Sequence, residues 1–218
     1  MIRLACFDLD GTLLDTLEGI ASASNKALCA LDLPVWPMGD YRAFIGYGPH
    51  ALAQHILPAG QLPSIEDRWL HLYKQYYLTD CTQRARPFPG VLKALQTLRA
   101  SGVRLAVLSN KPDELVQAQI SSCFSDLFEA VCGQREGEPV KPDPTVLLYI
   151  ANEFGLTPSE CAYVGDMLVD IKTACNAGFT PVGVLWGFGS DSLADSTGSF
   201  ALVECAKELP RVLFDLKT

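Results

Sequence analysis

Positive charge is scarce in this chain, and long hydrophobic runs are missing. Its 218 residues include 17 lysines and arginines against 25 acidic residues, which gives a formal net charge of −8. No run of basic residues offers a footprint for a phosphate backbone, so we expect no nucleic-acid partner. No apolar run approaches the ~18 residues that a membrane-spanning helix needs, so we expect no membrane partner either.

C-x-x-C pairs are also missing, although the chain has eight cysteines. Zinc ligation and a disulfide frame are therefore not expected. Because most of the cysteines lie in apolar segments, we expect buried, reduced thiols. The first residues run directly into an apolar strand and show none of the features of a signal peptide. These observations predict a cytoplasmic protein and leave open whether it is a monomer or a homodimer.

Apolar segments of strand length alternate with helical segments over most of the chain. Strands are predicted at residues 2–10, 103–108, 129–132, 161–164, 181–185 and 201–203, with helices between most of them. Repeated β-α units with buried strands predict an α/β fold built on a doubly wound parallel sheet. The polar residues 190–199 predict a solvated loop near the end of the chain.

Residues 16–83 interrupt this alternation with purely helical character. Helices are predicted at residues 16–31, at 41–45 after a cap at Asp40, at 50–57 and at 65–78. We therefore predict an all-helical cap of residues 16–83, inserted into an α/β core of residues 1–15 and 84–218. The insertion leaves after the first strand and returns before the second, so we expect it to cover the carboxyl edge of the sheet as a lid.

The first strand ends in two carboxylates, Asp8 and Asp10. They are two residues apart, so on an extended strand their side chains point the same way. Ligands of open parallel sheets bind just past the carboxyl ends of the strands, which is where this pair lies. Two anions held side by side repel each other unless a cation joins them. The pair therefore indicates a metal site, although a surface turn capped by aspartates would have the same sequence.

Three later segments carry polar side chains at or just past strand ends: Ser109-Asn110, Lys141-Pro142 and Gly165-Asp166 with Asp170 nearby. In a parallel sheet all of them meet the first pair at one edge. Two aspartates on one strand, a hydroxyl, a lysine and further aspartates suit phosphoryl transfer assisted by Mg²⁺. Magnesium prefers oxygen ligands and usually combines one or two carboxylates with the substrate phosphate.

Each of these groups has a place in such a reaction. Asp8 would attack phosphorus and form an aspartyl-phosphate, while Asp10 would move protons at the leaving oxygen and the attacking water. Asp8 and Asp166, with the backbone carbonyl of Asp10, would hold Mg²⁺. The Ser109 hydroxyl and nearby backbone N–H groups would hold phosphate oxygens, and Lys141 would offset the carboxylate charge.

These segments resemble the four ordered motifs of the haloacid dehalogenase-like phosphatase superfamily. The matching residues are Phe7 to Leu13, Ser109-Asn110, Lys141-Pro142 and Gly165-Asp166-x-x-x-Asp170. The resemblance covers nearly the whole chain and includes the small helical cap. It implies that Asp8 is the nucleophile and Asp10 the general acid and base. It further implies phosphate binding by Thr12, Ser109, Asn110 and Lys141, Mg²⁺ binding by Asp8, Asp10 and Asp166, and contact of Asp170 with Lys141 or water.

Asp10 favours phosphate esters, because the dehalogenases and phosphonate hydrolases of the superfamily lack an aspartate there. Among the phosphatases, the chain most resembles the phosphoglycolate-phosphatase-like members, on residues 11–16, 42–48, 87–90 and 109–111. The favoured function is therefore Mg²⁺-dependent hydrolysis of a small phosphorylated metabolite, with 2-phosphoglycolate first. A β-phosphoglucomutase-type phosphomutase, a nucleotide or pyrophosphate phosphatase, and a catalytically silent binding protein are the alternatives.

Several residues keep two interpretations. Gly46, Tyr47 and Gly48 are either a helix stop or a cap loop that offers backbone N–H groups to the substrate. Lys111 is either a solvated lysine or a substrate contact. Arg42 could pair with a substrate carboxylate, but a surface position is expected. The histidines of the cap do not cluster, so we expect them to be structural or exposed.

Overall fold

The computed structural model describes residues 1–59, 64–80, 84–196 and 198–216. Its centre is a six-stranded sheet in which every neighbouring pair of strands is parallel. The strands lie in the order β5 (Ala130–Gln134), β4 (Arg104–Pro112), β1 (Leu4–Phe7), β6 (Cys161–Gly165), β7 (Thr180–Val184) and β8 (Ala201–Val203). The predicted doubly wound parallel sheet is confirmed, with β1 near its middle.

Helices cover both faces of this sheet. They are α4 (Val91–Ala100), α5 (Asp113–Phe124), α6 (Thr145–Glu153), α7 (Leu168–Ala177), α8 (Ser190–Ala194) and α9 (Leu209–Asp215). Alternate residues of β1 belong to different hydrophobic clusters: Ala5 and Phe7 lie in one, Leu4 and Cys6 in the other. A strand that is buried on both faces reads as a continuous apolar run, which is why β1 and β6 were legible in the sequence.

The helical segment between the first two sheet strands is bracketed by a small antiparallel ribbon. Strand β2 (Leu14–Asp15) pairs with β3 (Arg86–Pro87). Between them lie α1 (Leu17–Cys29), a 3-10 helix (Met38–Ala43), α2 (Pro49–Ile56) and α3 (Glu66–Asp80). The ribbon was not predicted, because strands of two residues are too short to show a periodicity. It joins the two ends of the helical segment.

The helical segment forms most of a second hydrophobic cluster, which Leu115 of α5 and Phe188 of the core also join. The cluster includes Ile20, Tyr41, Leu52, Trp69 and Tyr73, all buried. Aromatic rings stack within it, with the ring centroids of Trp69 and Tyr73 4.9 Å apart. The segment therefore buries most of its apolar surface within itself and part of it against the core.

Three local predictions were wrong. Asp40 lies inside the 3-10 helix Met38–Ala43, which begins after Pro37, so it does not cap a helix. The polar stretch 190–199, predicted as a solvated loop, contains α8, whose Leu193 is buried. A single buried leucine among polar residues gives no periodicity to read.

The third wrong prediction concerns the burial of the cysteines. The described cysteines are free thiols, as expected, but Cys29, Cys175 and Cys205 are exposed, while Cys6 and Cys161 are buried. Apolar neighbours in sequence do not decide which side of a helix faces solvent. Cys81 lies outside the described residues. In the part of the chain that the structure describes, no helix has both the length and the apolar character needed to cross a membrane.

Candidate active site

Three buried aspartates meet at the carboxyl edge of the sheet. The register pairs Phe7 with Val164, so the residues that follow β1 and β6 emerge side by side. One carboxylate oxygen from each of Asp8, Asp166 and Asp170 lies within 4.8 Å of the others, and all three residues are buried. Asp170 comes from the first turn of α7, which begins directly after the β6 turn.

A single lysine lies among these carboxylates. Lys141 Nζ is 2.7 Å from Asp170 Oδ1 and 2.8 Å from Asp8 Oδ1. It donates a hydrogen bond to Asp170. Its approach to Asp8 is an ion pair without hydrogen-bond alignment, so Asp8 Oδ1 is buried and accepts no hydrogen bond. The cluster thus holds three carboxylates against one ammonium group, and Asp8 Oδ1 is paired with Lys141 by charge but not by an aligned hydrogen bond.

Burial and mutual repulsion shift the titration of these groups. Burial raises the pKa of Asp8 to about 6, although Lys141 lowers it and Asp170 raises it further. Burial, helped by repulsion from Asp170 and Asp8, raises the pKa of Asp166 to about 8. Burial opposes charge on Lys141, but the Asp170 and Asp8 carboxylates outweigh it and raise the pKa of Lys141 above its usual value. The carboxylates are therefore short of positive charge.

The cluster fits a hard divalent cation. Its donors are carboxylate oxygens, which ions of the Mg²⁺ type prefer, and they converge from two strand ends and a helix. Asp8 Oδ1 is buried and has an ion pair with Lys141 but no aligned hydrogen bond from the described residues, so a bound cation would satisfy it further. A cation would also relieve the repulsion that raises the pKa values of Asp8 and Asp166.

Asp166 is held in place on both of its oxygens. The Thr12 hydroxyl donates to Oδ1 at 2.9 Å. The backbone N–H groups of Phe188 and Gly189 donate to Oδ2 at 2.7 and 3.2 Å. The predicted phosphate ligand Thr12 therefore directs its hydroxyl at Asp166. Gly11 allows this approach, because a Cβ there would lie 2.4 Å from Asp166 Oδ2 and its φ is +87°.

Asn110 is bound mainly to backbone. Its Oδ1 accepts from the Lys141 N–H at 2.8 Å, and its Nδ2 donates to the Lys141 carbonyl at 3.3 Å. Nδ2 also lies 3.2 Å from the carbonyl oxygen of Gly46 in the helical segment. The Asn110 side chain thus positions the backbone that carries Lys141. Ser109 and Asn110 lie within β4, which continues to Pro112 with an irregular register, and not just past a shorter strand as predicted.

The carboxylate of Asp10 lies against Lys111. Lys111 Nζ is 2.7 Å from Asp10 Oδ1 and also donates to the Tyr77 hydroxyl. Gln119 Nε2 donates to the same hydroxyl at 3.0 Å. Lys111 is 5% exposed, so the solvated alternative was wrong. A signal was present in the sequence, because Ser109 and Lys111 are two residues apart on an extended strand and share a face.

A small cavity lies between the site residues of the core and the helical segment. The volume that water can occupy in it is about 40 Å³. A single water needs roughly 10–15 Å³ of such volume, so a few waters or one small ligand fit. The core contributes Asp8, Asp10, Ser109, Asn110, Lys111 and Pro112, and the helical segment contributes Ile20, Ile45, Gly46, Gly48, Pro49, Leu52 and Tyr73. Thr12, Lys141 and Asp166 are not among the residues that line the cavity.

Of the predicted cap residues, two glycines line the cavity and one tyrosine does not. Gly46 and Gly48 have φ values of +113° and +88°. A Cβ on Gly46 would lie 2.2 Å from the sulfur of Met167, next to Asp166. Tyr47 is 53% exposed. The loop that contains both glycines therefore touches the core.

The three histidines and Arg42 of the helical segment do not line the cavity. His50, His55 and His71 are exposed, as expected. His50 contacts Glu66, and the ring of His55 stacks on that of Phe44. Arg42 is exposed, as expected, but its guanidinium donates to backbone carbonyls of the core.

Comparison with known proteins identifies the family. A family model described as haloacid dehalogenase-like hydrolase matches residues 5–184. The chain belongs to the haloacid dehalogenase-like hydrolase family. The resemblance read from its four motifs is thus confirmed, and the α/β core described above is the core of a haloacid dehalogenase-like hydrolase.

Relatives of this family member include curated phosphatases. It is 34% identical over 203 residues to a phosphoglycolate phosphatase of Mannheimia succiniciproducens, covering 89% of this chain and 91% of that protein. It is also 34% identical over 208 residues to a phosphoglycolate phosphatase of Salmonella paratyphi A, covering 86% of this chain and 82% of that protein.

Solved structures of the family agree in fold over almost the whole chain. A protein of Lactobacillus delbrueckii subsp. bulgaricus, proposed to be a phosphoglycolate phosphatase, superposes with a TM-score of 0.90 at 30% identity. That match covers 97% of this chain and 98% of the other. A predicted phosphoglycolate phosphatase of Haemophilus somnus superposes with a TM-score of 0.85 at 29% identity, covering 97% of each chain.

Proposed function

We propose that this haloacid dehalogenase-like hydrolase is a Mg²⁺-dependent phosphatase that acts on 2-phosphoglycolate through an aspartyl-phosphate intermediate. The observation that carries the proposal is the buried cluster of Asp8, Asp166 and Asp170 beside Lys141. The choice of ester is supported by relatives called phosphoglycolate phosphatases that span most of the chain.

We assign the metal to the Asp8 and Asp166 carboxylates and the Asp10 backbone carbonyl. When bound, Mg²⁺ supplies the positive charge that the carboxylate cluster lacks. A phosphate ester adds further negative charge, which the cation also offsets. Thr12 and the N–H groups of Phe188 and Gly189 keep the Asp166 carboxylate oriented. Asp170 holds Lys141 at 2.7 Å and keeps its ammonium group beside Asp8.

The chemistry divides between Asp8 and Asp10. An oxygen of Asp8 forms a bond to phosphorus as the bond to the leaving ester oxygen breaks, and Asp10 donates a proton to that oxygen. Asp10 then takes a proton from a water molecule whose oxygen attacks phosphorus, which releases inorganic phosphate and restores Asp8. Ser109 and Lys141 hold the charged phosphate oxygens during both steps.

Lys111 supplies a cation for the other end of the substrate. It lines the cavity beside Asp10. Its ammonium has three N–H donors, and contacts to Asp10 and Tyr77 occupy two of them. We assign the third to the carboxylate of 2-phosphoglycolate. The facing wall is mostly apolar, with Ile20, Ile45 and Leu52, which suits a short substrate better than a sugar with many hydroxyls.

We propose that residues 16–83 act as the cap over a core of residues 1–15 and 84–218. The hydrophobic cluster that lies mostly within the helical segment, with Leu115 and Phe188 from the core, supports this division. The segment would swing about the β2–β3 ribbon, because the ribbon is the connection at both of its ends. A closed cap keeps bulk water from the aspartyl-phosphate until the leaving group has departed.

The test is a hydrolysis screen with Mg²⁺ over 2-phosphoglycolate, hexose phosphates, nucleotides and pyrophosphate. We expect the highest kcat/KM for 2-phosphoglycolate. Preference for a hexose phosphate together with a requirement for a sugar bisphosphate would replace the phosphatase with a mutase. The Asp8→Asn protein, purified in the same way, is the control for contaminating phosphatases, because an amide cannot take the place of the attacking carboxylate.

A further inference from the structure

A guanidinium of the helical segment binds the loop that follows β7. Arg42 lies near the end of the 3-10 helix Met38–Ala43. Its Nη2 donates to the Gly187 carbonyl at 2.7 Å, and its Nε donates to the Phe188 carbonyl at 3.1 Å. A planar guanidinium has fixed donors that can grip two acceptors at once, which the ammonium of lysine does less well. Arg42 therefore ties the helical segment to two successive peptide groups of the core.

The same two peptide groups face Asp166 on their other side. The peptide that contains the Gly187 carbonyl also contains the Phe188 N–H, and that N–H donates to Asp166 Oδ2 at 2.7 Å. The next peptide joins the Phe188 carbonyl to the Gly189 N–H, which donates to the same oxygen at 3.2 Å. In a planar trans peptide the C=O and N–H bonds point in opposite directions. Arg42 and Asp166 thus hold both peptides from opposite sides.

This arrangement transmits orientation and charge. Fixing a carbonyl fixes the direction of the N–H in the same plane, so Arg42 determines where both N–H groups point. Hydrogen bonds in series also polarise one another, and a cation at one end strengthens the bonds to the anion at the other. The loop itself lies very close to Asp166, because a Cβ on Gly187 would be 2.3 Å from the Asp166 Cβ.

We infer that Arg42 is a positioning residue for Asp166, acting through the 187–188 and 188–189 peptides. Docking of the helical segment would then raise the affinity of the Asp166 site for its metal. By linkage, the metal strengthens the docking by the same factor. This inference rests on the proposed Mg²⁺ site, and its test therefore measures binding of Mg²⁺ alone, without substrate.

The experiment compares Mg²⁺ dissociation constants, measured by calorimetry, for the wild type and the Arg42→Ala, Arg42→Lys and Lys74→Ala variants. Loss of a group that directly orients a metal ligand typically costs about 10–100-fold in metal affinity. Arg42 acts through a peptide and is exposed, so for Arg42→Ala we expect a smaller loss of Mg²⁺ affinity, about 5–10-fold. Arg42→Lys should lose less affinity for Mg²⁺ than Arg42→Ala, because the lysine ammonium can still donate to one of the two carbonyls.

Lys74→Ala is the matched control. Lys74 lies on α3 and pairs with Glu114 of α5 at 3.1 Å, so it also joins the helical segment to the core, but away from the Asp166 loop. We expect its Mg²⁺ affinity to equal that of the wild type. Methylguanidine added to Arg42→Ala should recover part of the lost affinity, because it restores the missing donors, and it should leave Lys74→Ala unchanged.

The possible results separate the two proposals. If the wild type does not bind Mg²⁺, the proposed metal site is wrong, and this inference falls with it. If the wild type binds but Arg42→Ala stays within about 2-fold, or Lys74→Ala loses as much as Arg42→Ala, only the role of Arg42 is overturned. Should Arg42→Ala fail to fold by circular dichroism, Arg42→Lys decides, and wild-type affinity in that variant refutes the inference.

Discussion

Replacing Lys141 with methionine removes the one cation from the buried cluster while nearly preserving side-chain volume. Lys141 Nζ lies 2.8 Å from Asp8 and 2.7 Å from Asp170, and its side chain is 2% exposed. Breaking a buried ion pair by removing one partner costs about 3–5 kcal/mol, because the remaining charge has no compensation. For a chain of this size each kcal/mol lowers the Tm by about 2–4 °C, so we expect Lys141→Met to lose roughly 6–20 °C.

The fall in Tm caused by Lys141→Met should increase with pH. The pKa of Asp8 is raised to about 6 even with Lys141 present. A carboxyl group whose pKa is higher in the folded protein destabilises it when ionised, so the penalty grows as the pH rises through the folded pKa. Without Lys141 that pKa rises further. The difference in Tm between Lys141→Met and the wild type should therefore be larger at pH 8 than at pH 5.

Thermal unfolding in metal-free buffer, and again with excess Mg²⁺, measures both effects. Added Mg²⁺ should reduce the difference in Tm between Lys141→Met and the wild type, because it supplies part of the missing positive charge. Lys93→Met is the control, since Lys93 is exposed on α4 and its loss should leave the Tm almost unchanged. A Tm for Lys141→Met within 2 °C of the wild type at pH 8 would refute the charge argument for the cluster.

Three further outcomes are expected. In Asp8→Asn, phosphate release falls to background while the fold is kept, since an amide does not attack phosphorus; turnover near the wild-type rate would exclude Asp8 as the nucleophile. The metal-free wild type should lose stability from pH 5 to pH 8, because the pKa values of Asp8 and Asp166 are raised to about 6 and about 8. A cation at about 100 times its Kd should raise the free energy of unfolding at pH 8 by about 2.7 kcal/mol. Calorimetry that shows equal stability of the metal-free protein at pH 5 and pH 8 would contradict this prediction. In Lys111→Met, kcat/KM for 2-phosphoglycolate should fall about 10-fold more than for ethyl phosphate, which has no carboxylate; an equal fall for both esters would argue against carboxylate binding by Lys111.

The aspartates at the carboxyl edge were predictable because they depend on local chain geometry. Asp8 and Asp10 follow a strand that is apolar on both faces, and Asp166 follows another. In a parallel sheet such positions must meet. The convergence of Asp8, Asp166 and Asp170 therefore follows from strand order and from the turn that starts α7.

The partners of the predicted residues were not predictable in the same way. Thr12 was expected at phosphate, but its hydroxyl donates to Asp166, which is 154 residues away in the chain. Asn110 was expected there too, and its amide binds the backbone of Lys141. A hydroxyl or amide near a site has many possible partners, and the fold chooses among them.

The burial of Lys111 was also beyond what the sequence could predict. Lysine is rarely buried, so an exposed position was a reasonable alternative from sequence. The structure buries it because Tyr77, on a helix of the inserted segment, covers it and accepts from its ammonium group. That contact joins residues 34 positions apart and has no local signature.

The sequence by itself determined the alternation of strands and helices, the helical insertion and the aspartates at the strand ends, because each depends on periodicity or spacing within a short segment. Only the tertiary structure decided that Lys111 meets Asp10, that Thr12 and Asn110 orient other site residues, and that Arg42 reaches the peptides behind Asp166. These contacts join distant segments, and their directions follow from how the helical segment lies on the sheet.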